Sequence, residues 1–247
     1  VIIMLDDMGY GDIESLGAID YYTPNINDLA DNGMLFTNFY SAQAVCSASR
    51  AGLLTGTYPN RIGINGALFP QSKVGLNSNE KTIAEILKEK KYKTAVIGKW
   101  HLGHQKEFLP LNHGFDYYYG IPYSNDMWPV DFDGNQITNN NDWRKKNYPQ
   151  LPIIENYKKI GEVRTLDDQA KLTTIYTEKS VEFINNNANK PFFLYVPHSM
   201  PHVPIAASDK FKGKSKQGLY GDVIMELDWS LGEIVKALKK NDIIENT

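Results

Sequence analysis

The sequence predicts an α/β protein: a mainly parallel sheet with helices on both faces. Short apolar, β-branched runs recur at 1–5, 94–98 and 192–196, and segments with helical apolar spacing separate them. Polar groups also collect immediately after these runs: Asp6 and Asp7 after the first, Lys99 and His101 after the second, and His198 and His202 after the third. In such a sheet, ligands bind beyond the carboxyl ends of the strands.

In chain order, Val1–Leu5 reads as a strand that begins at the first residue given, and Asp6–Asp12 reads as a loop with two glycines. Thr23 and Pro24 form an N-cap and first helical position for a helix through Asp31, closed by Asn32-Gly33. Met34–Tyr40 reads as the next strand. Residues 47–55 and Thr82–Lys90 follow as helices, then the buried strand Thr94–Gly98. Residues 125–160 are rich in Asn, Asp, Trp, Tyr and Pro without sustained period, which predicts an insertion or long surface loop. A helix from Leu166 to about Asn185, the strand Phe192–Val196, a Pro-rich loop and a helix over Gly218–Lys240 complete the order. Strand–helix alternation then calls for another strand. Tyr117, Tyr118, Tyr119 and Tyr123 could line a sugar site, but such runs more often pack in a core, and packing is the favoured reading.

The chain has 247 residues, 26 Lys+Arg against 29 Asp+Glu and a formal net charge of −3, which argues against a nucleic-acid binder. No apolar run is long enough to span a bilayer. The single cysteine, Cys46, has no internal partner for a disulfide.

Cys46 opens the run Cys46-Ser47-Ala48-Ser49-Arg50. A helix starting there puts its positive end at the thiol and Arg50 on the same face, a setting that favours an anion; the plainer alternative is a buried free cysteine beside a surface arginine. Lys99 and His101 are two apart, so an extended backbone would point both to one side and Trp100 to the other. His198 and His202 have a spacing that could bind zinc on a helix, but Pro197, Pro201 and Pro204 argue against a helix, and zinc is rejected.

Cys46–Arg50 with Leu53-Leu54-Thr55-Gly56 resembles the signature of the type I sulfatases, in which the cysteine becomes formylglycine. Ala48 stands where the family more often has Pro. Further family blocks occur in family order: Asp6–Asp12, Lys93–Gly103, Gly114–Asp116, Gly120–Ser124 and His202-Val203-Pro204. The arylsulfatase A and N-acetylgalactosamine-6-sulfatase branches are the most similar. The resemblance implies an alkaline-phosphatase-like fold, a divalent cation (calcium in preference to magnesium) and hydrolysis of sulfate esters. It implies Asp6, Asp7 and the modified Cys46 as metal ligands, and Cys46, Arg50, Lys99, His101 and His202 as catalytic residues. Ser124 is implied as a substrate contact; His198 is expected either to contact substrate or to pack.

The same resemblance implies a sulfated small molecule or glycan as substrate, with aryl sulfates as surrogates, and a formylglycine-generating enzyme as maturation partner; neither nucleic acid nor a membrane span is expected. The implied nucleophile is a formylglycine gem-diol, with His202, alone or together with Lys99, protonating the leaving oxygen and His101 deprotonating the second hydroxyl. A phosphoryl-transfer relative would be expected to carry Ser or Thr in place of Cys46, and a glycan-binding module would have no use for an aldehyde there. Residues 1–247 are expected to form the N-terminal part of the catalytic domain, the remaining metal ligands and a second sulfate-binding Lys lying further on. The absence of any Asn-x-Ser/Thr acceptor tilts the expected location to periplasmic or secreted, with lysosomal as the eukaryotic counterpart.

Overall fold

The computed structural model describes residues 1–247. The first strand, β1 (Ile2–Met4), leads through an irregular loop to α1 (Pro24–Asn32). Then come α2 (Cys46–Thr55), α3 (Ile83–Glu89), β2 (Lys93–Lys99) and β3 (Tyr117–Ile121). The short helix α4 (Trp143–Asn147) precedes the hairpin β4 (Leu151–Glu155) and β5 (Lys158–Val163). The second half continues with α5 (Leu166–Ala170), α6 (Leu172–Asn187), β6 (Phe192–Pro197) and α7 (Gly218–Lys240).

All six strands form one sheet in the order β1-β6-β2-β3-β4-β5. The first four are parallel and β4 and β5 add an antiparallel margin, so the sheet is mainly parallel, as its sequence predicts. Alternate residues of the central strands feed two cores. Ala95, Ile97, Tyr119, Leu194 and Val196 pack with Tyr176 and Ile184 of α6 and Ile234 and Leu238 of α7. On the opposite face Val96, Tyr118, Phe193 and Tyr195 pack with Ala48, Ala51 and Leu54 of α2 and Ala84 of α3. Fully burying one such large apolar side chain stabilises by about 1.5–3 kcal/mol. The tyrosine run packs in the core, as favoured: Tyr118, Tyr119 and Tyr123 are buried, and Tyr117 is half-buried against the core.

Beside the site, β2 and β3 approach closely at the register pair Gly98 and Gly120. A Cβ on Gly120, whose φ is 157°, would lie 1.7 Å from the carbonyl oxygen of Gly98, so no side chain fits there.

Four expectations change. Met34–Tyr40 is not a strand; it runs unpaired along the surface with Met34, Phe36, Phe39 and Tyr40 exposed, because no neighbouring strand supplies hydrogen bonds. It flanks a cavity of about 450 Å³ whose other wall is β1 and whose lining includes Ser49, Gly52 and Leu53 of α2. Residues 125–160 are not one loop, since β4 pairs with β3 and with β5 across a two-residue turn in which Asn156 takes φ 56°. The helix expected from Leu166 breaks at Lys171 into α5 and α6. Thr23 occupies the N-cap position of α1, but its hydroxyl accepts from the Glu14 N–H at 3.0 Å instead of from the helix. Asp228 of α7 takes over that service, accepting from the Ile26 N–H at 2.8 Å and from Asn25 Nδ2 at 2.7 Å.

Candidate active site

Three charged groups from three distant elements meet beyond the carboxyl end of the sheet. Asp6, just after β1, is contacted through Oδ2 by Lys99 Nζ from the end of β2 and by an Arg50 Nη from α2 at 3.2 Å. Arg50 and Lys99 are fully buried and Asp6 is 4% exposed. A dry carboxylate at this depth survives ionised only because two cations compensate it. Burial pushes its pKa up, but Lys99, Arg50 and, less strongly, His202 more than offset this and hold it well below the usual carboxylate range. Burial likewise disfavours the Arg50 charge, and Asp6, Tyr195 and Cys46 together outweigh it and raise the guanidinium pKa. Lys99 Nζ also donates to Ser124 Oγ at 2.9 Å, and Arg50 donates to the Lys99 carbonyl, so the cations brace each other.

Cys46 is the first residue of α2, and its N-cap, Val45, offers no side-chain cap, so the helix's positive end is uncapped beside the partly exposed thiol. The arrangement reverses the plainer reading, because it is the arginine that is fully buried and the cysteine that reaches solvent. Ser47 Oγ accepts from the Leu68 N–H at 3.0 Å, and the Leu68 carbonyl lies 2.9 Å from His101 Nε2. A carbonyl only accepts, so Nε2 carries the proton and the lone pair sits on Nδ1, which is buried without a partner. Burial, reinforced by Lys99 and Arg50, holds the His101 pKa well below its ordinary value, so the ring is neutral. His101 does not continue an extended backbone: its φ is 57°, a conformation costing of order 1–3 kcal/mol for a non-glycine residue. Trp100 does turn to the opposite side, into the core, with Nε1 on the Phe108 carbonyl at 2.8 Å.

The other rim is more open. Asp7, also at positive φ (67°), is 65% exposed, and its Oδ2 lies 3.6 Å from His202 Nε2. His202 Nδ1 lies 2.6 Å from the Val203 carbonyl.

His198 does not join this group. It is fully buried with Nε2 3.0 Å from Ser230 Oγ of α7 and its ring tilted against Tyr176 of α6. The expected substrate contact at His198 is therefore corrected to packing behind the sheet. Asn125, which no sequence motif singles out, sits directly after Ser124 and donates to the carbonyl of His202 at 3.0 Å. Its place beside a serine that follows a strand was the available signal. Leu68 had none, because it acts through its backbone.

For a hard dication the available donors are right in kind, being carboxylate oxygens: both cations on Asp6 fall on Oδ2, and Asp7 faces solvent. They are fewer than the six to eight oxygens such an ion takes, and no three His, Cys, Asp or Glu side chains converge to hold a metal.

The sulfatase family model matches residues 1–247. The human (Homo sapiens) N-acetylgalactosamine-6-sulfatase is 36% identical over 262 residues, covering 100% of this chain and 48% of that protein. The crystal structure of the PsFucS1 sulfatase from Pseudoalteromonas sp. superposes with a TM-score of 0.89 at 32% identity, over 100% of this chain and 52% of that one. A phosphonate monoester hydrolase of Agrobacterium radiobacter shares the fold alone, with a TM-score of 0.64 at 15% identity over 100% of this chain and 60% of that one. The chain spans about half the length of the curated relatives it matches. It belongs to the sulfatase family and has the alkaline-phosphatase-like fold.

Proposed function

We propose that this member of the sulfatase family hydrolyses sulfate esters, of sulfated carbohydrates above all, with aryl sulfates as surrogates. The observation that carries the reading is the buried Asp6–Lys99–Arg50 cluster beside the uncapped helix end at Cys46. A sulfate ester is an anion, and a site that attacks it must compensate charge that shifts onto the departing oxygen. Lys99, Arg50 and the end of α2 supply that field, and Ser124, bonded to Lys99, contacts the sulfate.

With Cys46 matured to formylglycine and hydrated, one hydroxyl oxygen attacks sulfur, losing its proton to solvent water, and the sulfur–ester oxygen bond breaks. His202, entering the step as an imidazolium with Nδ1–H on the Val203 carbonyl, delivers its Nε2 proton to the leaving alcohol and regains one from water between turnovers. The second hydroxyl of residue 46 then gives its proton to His101, whose neutral ring presents a free Nδ1. Its oxygen becomes the aldehyde carbonyl as the carbon–oxygen bond to sulfate breaks. Water rehydrates the aldehyde. Asp6, Asp7 and the residue-46 oxygen would hold a divalent cation, calcium in our reading, which contributes further positive charge.

Residues 1–247 correspond in this reading to the N-terminal part of a longer catalytic domain, with further cation ligands and a second sulfate-binding lysine in the remainder. A formylglycine-generating enzyme acts on Cys46. We assign the protein to the periplasm or the secreted fraction, or to the lysosome in a eukaryote; no helix is long and apolar enough to cross a membrane.

The test is a mass measurement on the Cys46 peptide from enzyme made in its native host, paired with turnover of para-nitrophenyl sulfate. Aldehyde at position 46, with activity abolished in Cys46→Ala, is the expected result. Full activity with only thiol present would overturn the mechanism.

A further inference from the structure

Asn125 has no part in the chemistry above, yet it is fully buried and its only side-chain donor group is spent on one short segment. Nδ2 lies 3.0 Å from the carbonyl oxygen of His202, 3.3 Å from that of Val203 and 3.4 Å from that of Pro204. Its main-chain carbonyl accepts from Trp128 Nε1 at 2.7 Å, and Trp128 is fully buried, so the backbone that carries the side chain is tied to the core, while Oδ1 is buried without a partner. Gln169 of α5, also buried, donates to the Pro204 carbonyl from the other side.

The Val203 carbonyl has two suitors: Asn125 Nδ2 and His202 Nδ1, the latter at 2.6 Å. Since that oxygen only accepts, Nδ1 keeps its proton whether the ring is neutral or charged, and Nε2, which faces Asp7, is the nitrogen that gives or takes one. Val203 is 42% exposed, so its own side chain does little to hold the carbonyl in place. The loop is exposed at Val203 and half-buried at His202, between the buried Pro201 and Pro204, and Asn125 is the buried side chain that reaches all three carbonyls.

We propose that Asn125 is a positioning residue for His202: it clamps the 202–204 carbonyls so that the ring keeps one orientation, with Nδ1–H on the Val203 carbonyl and the Nε2–H of the imidazolium presented to the leaving oxygen. The proposal rests on the reading of His202 as the general acid. It assigns Asn125 no contact with substrate.

The experiment uses the full-length enzyme with the aldehyde at position 46 confirmed, and a series of aryl sulfates from para-nitrophenyl to unsubstituted phenyl sulfate. General acids contribute roughly 10²–10⁴ in rate, and more as the leaving group becomes more basic. Asn125→Ala should lower kcat on phenyl sulfate by about tenfold or more and on para-nitrophenyl sulfate by less than about threefold, the same trend that His202→Ala shows. The double variant Asn125→Ala/His202→Ala should be no slower on phenyl sulfate than His202→Ala alone, because residues acting through one group are not additive. Asn125→Ser, whose hydroxyl is too short to reach the carbonyls, is measured beside it, and the rates are read from whichever variant melts at the parent's temperature. Equal losses on both esters, or losses that multiply in the double variant, would overturn the role of Asn125. A full-length parent that turns over no aryl sulfate would overturn the sulfatase reading and this role with it.

Discussion

Asp6 and Asp7 are neighbours in sequence and opposites in surroundings. Asp6 is 4% exposed and held by Lys99 and Arg50, whereas Asp7 is 65% exposed and meets only the His202 ring, at 3.6 Å. The positive φ of Asp7 turns the chain so that one carboxylate points into the protein and the other out of it. The site thus has a side completed by folding and a side left for what binds. On the completed side, charge and geometry are set before any ligand arrives, which is what electrostatic stabilisation of a transition state requires. On the open side, Asp7 and His202 are placed by loops, and their contacts leave capacity to spare.

The difference is broken most directly by removing a cation from the completed side. Lys99→Met should cost about 3–5 kcal/mol of stability, since it leaves a buried carboxylate with half its compensation. It should also lower turnover by roughly 10²–10³. Adding Asp6→Asn to it should restore much of the stability and none of the activity. Urea unfolding read beside aryl sulfate turnover checks both; a Lys99→Met protein of wild-type stability would show that the buried cluster is not held as described.

Acid probes the same side through its histidines. Burial lowers His198 to about 4 and His101 well below its ordinary value. Below the unfolded pKa, near 6.5, the unfolded chain takes up protons that the folded rings refuse. Stability should therefore fall as pH drops, by about 1.4 kcal/mol per pH unit for each such ring, until the folded pKa is reached. His198→Gln should remove one proton's worth of that slope between pH 6.5 and about 4. Asp6 works in the same sense but in a lower pH window: its depressed pKa gives stability that is present above the unfolded carboxylate pKa and is lost only under strongly acidic conditions. Unfolding measured at a series of pH values separates the two, and an unchanged slope in His198→Gln would remove this histidine from the account.

The smallest effect on stability belongs to the open side. Asp7→Asn should shift unfolding by less than about 0.5 kcal/mol, as exposed substitutions do. Cation-dependent turnover of the same variant should fall sharply. A destabilisation comparable to that of Lys99→Met would erase the distinction between the two carboxylates.

The margins of the sheet explain how much of the fold could be read in advance. Met34–Tyr40 has the β-branched and aromatic character of a strand and is not one, because in this chain no strand lies beside it. Leu151–Val163 contains Pro152, Asn156 and Gly161, carries no clear alternation, and forms two strands because β3 offers an open edge. Strand formation is a property of a pair, so propensity located the central strands, whose apolar runs demand burial on both faces, and misjudged the margins. The helices are more legible, although the Thr23 hydroxyl turns to Glu14 and the helix from Leu166 breaks at Lys171. Their periodicity and caps are local, as with the reciprocal bonds of Thr82 and Glu85 at the start of α3.

The sequence by itself determined the types of group in the site and the family: Asp6-Asp7, the Cys46–Arg50 run, Lys99, His101 and His202 are side chains whose chemistry is written in their identity. Only the tertiary structure decided which carboxylate is buried, that His198 faces Ser230, and which nitrogen of each site histidine carries its proton. Those outcomes depend on the carbonyls of Leu68 and Val203 and on partners dozens of residues away. Every residue has a backbone carbonyl, so its identity says nothing about which group the carbonyl will meet; packing brings the two together, and burial then makes the contact matter.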